Sequence, residues 1–180
     1  MDNPLLDAAL SYARRGWTVL PCRPRGKEPL TPHGLKDATL DEAAVRRWWG
    51  QWQDANIGIP TDTFIVVDVD RHAEGEDGLE SLESLQAAHG KLPDTVVSLT
   101  GGGYHLFFAH PPGAKLRGKR LAPGLDVKGC GGYVIAPPSV HPSGGHYVWE
   151  VSSHPDEVEI APCPGWLAAL LAEPNGHHHP

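Results

Sequence analysis

The segment 64–70 constrains the fold most, because its alternating side chains need two different environments. From Ile65 onward every second residue is apolar and faces one side of an extended strand, while Asp68 and Asp70 face the other. The β-branched residues favour a strand. Two carboxylates on one face repel each other unless a positive charge lies between them. We therefore expect a strand that buries one face and presents a pair of acids from the other.

Glycine and proline divide the rest of the chain into short elements. Helices are predicted over 4–15, 40–52 (capped by Thr39), 76–89 and 165–172. Strands are predicted over 17–20, 56–59, 64–70, 95–99, 104–109, 124–128, 132–136 and 146–149, and a loop over 21–34. This order predicts an α+β fold with a mostly antiparallel sheet. We expect one domain over residues 1–172 and a disordered tail over 173–180.

Composition excludes several classes of protein. The chain has no run of about 18 apolar residues, so we expect no membrane partner. Its acidic start is unlike a signal peptide, which predicts a soluble, cytoplasmic protein. The cysteines are three, scattered and without a CxxC pair: Cys22, Cys130 and Cys163. They argue against a disulfide framework and against a cysteine zinc site.

The net charge of −7 argues at first against a nucleic-acid partner. All 15 basic residues, however, lie at or before Lys128, where acids and bases nearly balance. Two basic groups stand out, one of Arg14, Arg15, Arg23, Arg25, Lys27 and Lys36, the other of Lys115, Arg117, Lys119, Arg120 and Lys128. They are either ordinary solvated charges or two phosphate-binding patches, one for a nucleotide and one for a template strand.

A third acid, Asp126, lies on a short predicted strand flanked by Gly124 and Gly129. It is either a surface residue or a partner of Asp68 and Asp70. Carboxylates are the ligands that Mg²⁺ prefers. A third carboxylate on a neighbouring strand would complete a site for two metal ions.

Two further polar residues stand in unusual places. His105 enters an apolar strand just after three glycines, whose N–H groups can meet an anion, although a buried core histidine is the alternative. A zinc site with His110 is disfavoured, because the two histidines face opposite sides of a strand. Ser139 follows Pro137 and Pro138, so it is either part of a rigid strand end or a hydrogen-bond donor to a phosphate.

Together these residues resemble the archaeo-eukaryotic primase superfamily, specifically the bifunctional primase-polymerase domain of plasmids, phages and prophages. The resemblance runs from about Ala8 to Glu150. Its three motifs occur in order as Val67–Asp70, Gly103–His105 and Leu125–Asp126. Flanking matches are Tyr12–Trp17, Pro24–Pro29, Ala55–Ile59 and Gly131–Ser139.

The resemblance implies a fold, a metal site and a nucleotide contact. The fold would be an RRM-like, mostly antiparallel sheet beside a smaller N-terminal α/β part, with helices packed on the sheet. Asp68, Asp70 and Asp126 would hold two divalent cations, Mg²⁺ or Mn²⁺, and His105 would contact the phosphates of the incoming nucleotide. The chain lacks the cysteines of the zinc element and the helicase motif that some relatives carry, so a helicase would be a further domain or protein.

The resulting hypothesis is a template-dependent nucleotidyltransferase, a DNA primase or polymerase of plasmid, phage or prophage replication. It would act on nucleoside triphosphates with a single-stranded DNA template and a primer. His105, Lys27, Lys128 and Ser139 would position phosphates. The alternatives are a non-catalytic DNA-binding module of replication initiation and a metal-dependent phosphohydrolase.

Overall fold

The structure is a computed structural model that describes residues 2–71 and 77–173. The helices within these ranges are α1 (Pro4–Arg14), α2 (Glu42–Gln51), α3 (Gly78–His89) and α4 (Gly165–Ala172). The strands are β1 (Leu20–Cys22), β2 (Asn56–Pro60), β3 (Ile65–Asp70), β4 (Val97–Leu99), β5 (Gly103–Ala109), β6 (Lys119–Ala122), β7 (Leu125–Lys128), β8 (Tyr133–Ala136), β9 (Val148–Trp149) and β10 (Ala161–Pro162). Two 3₁₀ turns cover Gly34–Asp37 and Val151–Ser153.

The strands form two sheets. The smaller sheet has the antiparallel order β1–β2–β8, and the larger has the order β6–β7–β3–β5–β4–β9. The short β10 pairs with β5 in parallel, whereas the other pairs are antiparallel. The predicted α+β class with a mostly antiparallel sheet is therefore confirmed. The smaller part is not purely N-terminal, because its third strand, β8, comes from late in the chain.

Helices α3 and α4 cover one face of the large sheet. Val67 and Val69 of β3 pack there against Leu82 of α3 and Leu167 of α4, and all four side chains are buried. This is the apolar face that the alternation in segment 64–70 predicts. Burial of its side chains is a main source of stability for the large sheet.

The other face of β3 is divided into an apolar and a polar part. Phe64, just before β3, and Val66 lie in a second core with Phe107 of β5 and with residues of α1, α2 and the small sheet. Beyond Val66 the same face carries Asp68 and Asp70. The small sheet thus covers the first half of this face and leaves the acids at the border of the interface.

Local capping explains where two of the helices begin. Asn3 caps α1, since its Oδ1 accepts hydrogen bonds from the amides of Leu5 and Leu6. The Thr39 cap of α2 is wrong, and Asp41 caps that helix by accepting from the Ala43 amide. Thr39 instead pairs through its backbone with Val19, which keeps it extended.

Several predicted boundaries differ from those observed. The first strand lies at Leu20–Cys22 rather than 17–20, so the predicted loop over 21–34 begins too early. Strands β6 and β10 were not predicted, because β6 is basic and β10 has only two residues. Of the predicted tail, only Glu173 is described, and residue 76 of the third predicted helix also lies outside the described residues. No helix in the described ranges is long and apolar enough to span a membrane.

The closest approach between β3 and β5 depends on Gly103, and it yields a testable prediction. A Cβ atom at this position would overlap the carbonyl oxygen of Val69. We expect Gly103→Ala to destabilise the protein by about 2 kcal/mol or more, as overpacking typically does. Urea unfolding measures the change.

Gly50 of α2 is the matched control, because a Cβ there meets no atom within 4 Å. Gly50→Ala should stabilise the protein by about 0.5 kcal/mol through lower backbone entropy of the unfolded chain. Equal stability of the two variants would contradict this account of the β3–β5 contact.

Candidate active site

Three adjacent strands place two acids and a histidine in one row. Asp68 on β3 lies directly opposite Asp126 on β7 and, on its other side, opposite His105 on β5. Directly opposed residues in an antiparallel pair share a face, with Cβ atoms about 4.5–5.5 Å apart. Asp70 follows two residues after Asp68 and shares that face too. The sheet therefore brings the three predicted acids and the predicted histidine to one surface.

This surface forms the floor of a cavity of about 730 Å³ between the two sheets. That volume lies in the usual range for small-molecule sites. The predicted site residues that line it are Asp68, Asp70, Asp126, His105, Lys27 and Lys128. The other lining residues are Thr100, Gly101, Gly102, Gly131, Gly132, Tyr133, Val134, Ile135, His141, Ser143 and Tyr147.

The ionisation of Asp68 is set by competing effects. Burial raises its pKa, but the hydrogen bond and charge of His105 lower it, and Lys128 and Lys27 lower it further. Together they hold the pKa of Asp68 below its usual value. The His105 Nε2 atom lies 3.5 Å from Asp68 Oδ1. Asp68 is therefore a carboxylate at neutral pH, as a metal ligand must be.

The donor set fits a divalent cation in its chemistry. Asp68, Asp70 and Asp126 offer carboxylate oxygens, which Mg²⁺ and Mn²⁺ favour over nitrogen or sulfur. Within residues 2–71 and 77–173, however, no three His, Cys, Asp or Glu side chains are close enough to form a ready metal cluster. The acids face one cavity, but Asp68 is turned toward His105. Cation binding would require the carboxylates to turn toward a common point.

A buried amide that sequence reasoning missed holds two loops against the cavity. Asn56 is 1% exposed, and its Nδ2 donates to the carbonyls of Gly26 (3.0 Å) and Val140 (2.8 Å). Its Oδ1 accepts from the Val140 amide at 2.9 Å. These bonds position Lys27 and the loop that carries His141. The available signal was a polar residue inside an apolar strand, which must find partners when buried.

The rings of Tyr147 and His141 form part of the cavity wall, and neither of them was assigned to the site from the sequence. The ring of Tyr147 lies between those of His105 and His141, with centroid distances of 6.4 and 5.6 Å. Burial, and then the charge of Asp68, raise the pKa of Tyr147 to about 12, so its phenol stays protonated. Burial and Lys27 lower the pKa of His141, which favours a neutral ring. A Cβ at Gly101 would lie 2.5 Å from the His141 ring, so glycine permits this packing.

Ser139 is the predicted phosphate contact that the structure does not bring to the cavity. The residue is fully buried, and its Oγ accepts a hydrogen bond from the Ile57 amide at 2.8 Å. This bond ties the end of β8 to β2. The sequence allowed either a rigid strand end or a phosphate contact for Ser139. In the structure its hydroxyl belongs to the strand end.

The two basic groups do not form two continuous patches. Arg14 pairs with Glu42, and Arg15 pairs with Asp156, so both charges are paired at the surface away from the cavity. The Lys119 ammonium donates to the carbonyls of Leu170 and Glu173, beside the end of α4. From the first group only Lys27 lines the main cavity.

A second, smaller cavity of about 330 Å³ continues from the main one. The two share Asp126, Lys128, Gly131 and Gly132. Lys119 and Arg120 of β6 also line the smaller cavity. Lys128 and Arg120 bring positive charge to this cavity beside the acids, whereas the ammonium of Lys119 lies at the end of α4.

The placement of Ser139 can be tested by removing its hydroxyl. Ser139→Ala should lower the free energy of unfolding by about 1–3 kcal/mol, because the buried Ile57 amide loses its acceptor. Nucleotide affinity of the folded protein should not change. Reduced affinity at unchanged stability, measured by calorimetry and urea unfolding, would instead support a phosphate contact.

Comparison with known proteins places this site in a family. A search of curated proteins gives no match. The family model described as the N-terminal domain of bifunctional DNA primase/polymerase matches residues 9–166. The match includes β3, β5 and β7, and with them every acid of the row. It covers most of the chain and confirms the resemblance seen in the motifs: the chain belongs to the bifunctional DNA primase/polymerase family.

Proposed function

We propose that the main cavity binds a nucleoside triphosphate and that the protein joins nucleotides on a single-stranded DNA template in plasmid, phage or prophage replication. The observation that carries this proposal is the row of Asp126, Asp68 and His105 across three adjacent strands. The row faces a cavity that also holds two lysines. Family membership gives DNA primase/polymerase activity in general, and the geometry supports one place for it.

The acids would hold the metal ions. Asp68, Asp70 and Asp126 are the lining carboxylates, and together with the phosphates of a nucleotide they can neutralise two divalent cations, Mg²⁺ or Mn²⁺. Bound ions would lower the pKa of the primer 3′-hydroxyl and neutralise charge on the triphosphate. The chain's own contribution is to keep the carboxylates ionised and on one rigid face. The central position of β3 in the large sheet gives that rigidity.

The cations of the chain would position the phosphates. Lys27 reaches the cavity from the loop that Asn56 anchors, and Lys128 from the end of β7. They enter from different elements, so a triphosphate lying above the acid row would meet positive charge on two sides. His105 would add a ring donor, since its Nε2 lies 3.5 Å from Asp68 Oδ1 and a proton there can be shared with an anionic oxygen.

The template strand would follow the smaller cavity. Lys128 of β7 and Arg120 of β6 line this cavity beside Asp126. Positive side chains contact the phosphates of a nucleic acid without reading its bases. A helicase, as a further domain or a separate protein, and a cytoplasmic location stay predictions from the sequence.

Removal of single acids tests the catalytic assignment. Asp68→Asn and Asp126→Asn should each lower template-directed extension on the order of a hundredfold or more, because losing a metal ligand costs several kcal/mol of transition-state stabilisation. The assay is incorporation of labelled nucleotide into a primed template with Mg²⁺ or Mn²⁺. Asp54→Asn is the matched control, since Asp54 is exposed and lies outside the cavity lining. Undiminished extension by Asp68→Asn would exclude the proposed role.

The two alternatives predict different results in the same preparation. A non-catalytic DNA-binding module would show no metal-dependent nucleotide affinity in calorimetry with Mn²⁺. A phosphohydrolase would release phosphate or cleave nucleic acid without a template. Incorporation that requires both template and metal would distinguish the proposed function from both.

The lysines should act on nucleotide binding. Lys27→Ala and Lys128→Ala should each raise the nucleotide KM roughly tenfold, because a charge-assisted hydrogen bond is worth about 1.5–3 kcal/mol. Lys91→Ala is the matched control, since Lys91 is exposed and lines neither cavity. Equal KM values for all three variants in the extension assay would argue against a phosphate role for Lys27 and Lys128.

A further inference from the structure

Two buried polar atoms without partners belong to directly opposed residues beside the acid row. Among the described residues, Ser98 Oγ and His105 Nδ1 are the buried side-chain nitrogen or oxygen atoms that lack a hydrogen-bond partner. Ser98 on β4 is the direct cross-strand partner of His105 on β5. Buried polar groups in folded proteins nearly always find a partner, so two adjacent exceptions need a common explanation.

The register makes a bond between these atoms the simplest explanation. Opposed residues of an antiparallel pair share a face, with Cβ atoms about 4.5–5.5 Å apart. No hydrogen bond joins the two atoms in the structure, so the bond requires the Ser98 side chain to turn about χ1. Its hydroxyl can then donate to an imidazole nitrogen that carries no proton. Ser98 is fully buried, so solvent does not compete for its hydroxyl.

The other neighbour of Ser98 gives its hydroxyl no alternative. On the far side of β4, Ser98 is paired with Trp149. The indole Nε1 of Trp149 already donates to the Tyr12 hydroxyl at 3.1 Å, and indole offers no acceptor. His105 Nδ1 is thus the acceptor that the register presents to Ser98.

We propose that Ser98 is a positioning residue for His105: its hydroxyl donates to Nδ1 and thereby keeps the ring proton on Nε2. The partner of one imidazole nitrogen decides which nitrogen carries the proton. Nε2 is the atom that faces Asp68, 3.5 Å from its Oδ1. The cavity therefore receives an N–H donor at a fixed place, whereas the opposite tautomer would present a lone pair to the carboxylate.

This tautomer assignment rests on the strand register, on the two buried atoms without partners and on the place of Nε2 beside Asp68, and only its catalytic consequence rests on the proposed function. With a triphosphate bound, the Nε2–H group can donate to a phosphate oxygen beside the acids. Without Ser98 the ring can adopt either tautomer and can rotate, so part of the population loses the donor. Ser98 would touch neither the nucleotide nor the metal.

Nitrogen chemical shifts of the histidine rings test the tautomer directly. Long-range ¹H–¹⁵N correlation spectra of ¹⁵N-histidine-labelled protein at about pH 8, where an ordinary histidine is neutral, should show His105 protonated at Nε2 with a hydrogen-bonded, unprotonated Nδ1. The His105→Gln spectrum assigns the peaks by their loss. A wild-type spectrum with the proton on Nδ1 would overturn the proposal without any variant of Ser98.

Matched variants then identify the donor. Ser98→Ala should shift the Nδ1 signal toward that of a mixed population. Ser98→Thr should restore the signal, whereas Ser98→Val, which has the shape of the threonine variant without its hydroxyl, should not. Tyr147→Phe removes the hydroxyl of the ring next to His105 and should leave the tautomer unchanged. The proposal would be wrong if Ser98→Ala or Ser98→Val kept the wild-type Nδ1 signal. It would also be wrong if only Tyr147→Phe shifted that signal.

Kinetics supply the functional readout. In template extension, Ser98→Ala should lower kcat/KM for the nucleotide roughly tenfold, the lower end of the effect of removing an outer-shell partner, with the template KM unchanged. Ser98→Thr should recover most of the loss. In a His105→Ala background, Ser98→Ala should cost nothing further, and a second loss of equal size would contradict action through His105. A wild-type protein without extension activity would refute the proposed function, and the spectra would still decide the tautomer.

Discussion

The site depends on one constraint, the burial of β3 on both faces between two hydrogen-bonded neighbours. Val67 and Val69 pack against α3 and α4, while Phe64 and Val66 pack against the small sheet. Pairing with β5 and β7 fixes the register along its length. A slip of one residue would turn every buried valine toward the wrong face. The acids that follow in the same strand therefore have little freedom of position.

The cavity exists because two sheets meet where β3 changes from apolar to acidic. The small sheet is completed by β8, so the upper wall of the cavity is assembled from segments about 75 residues apart in the chain. Asn56 ties two connections, the loop before Lys27 and the loop carrying His141, to β2. A network of satisfied buried bonds thus supports the polar side of the site. Lys128 reaches the cavity from a strand, and Lys27 reaches it from a loop that Asn56 anchors.

Much of the site could be predicted, and the misses have physical causes. The phase of Asp68 and Asp70 follows from the period of a strand, and the order of the motifs pointed to Asp126 and His105 as well. Both roles of Ser139 stayed open because a hydroxyl after two prolines serves a strand end and a phosphate site equally well in a sequence, and the structure places it outside the cavity lining. Asn56 and Tyr147 were missed because their roles come from loops and rings that are distant along the chain.

The sequence by itself determined the α+β class, the acidic face of β3 and the family, because these follow from local periodicity and from the order of short motifs. Only the tertiary structure decided that Asp126, Asp68, His105 and Ser98 form one row across four strands. It also decided which lysines reach the cavity. Cross-strand neighbours are set by register, and register depends on packing against both sheets rather than on any residue's own neighbours in the chain.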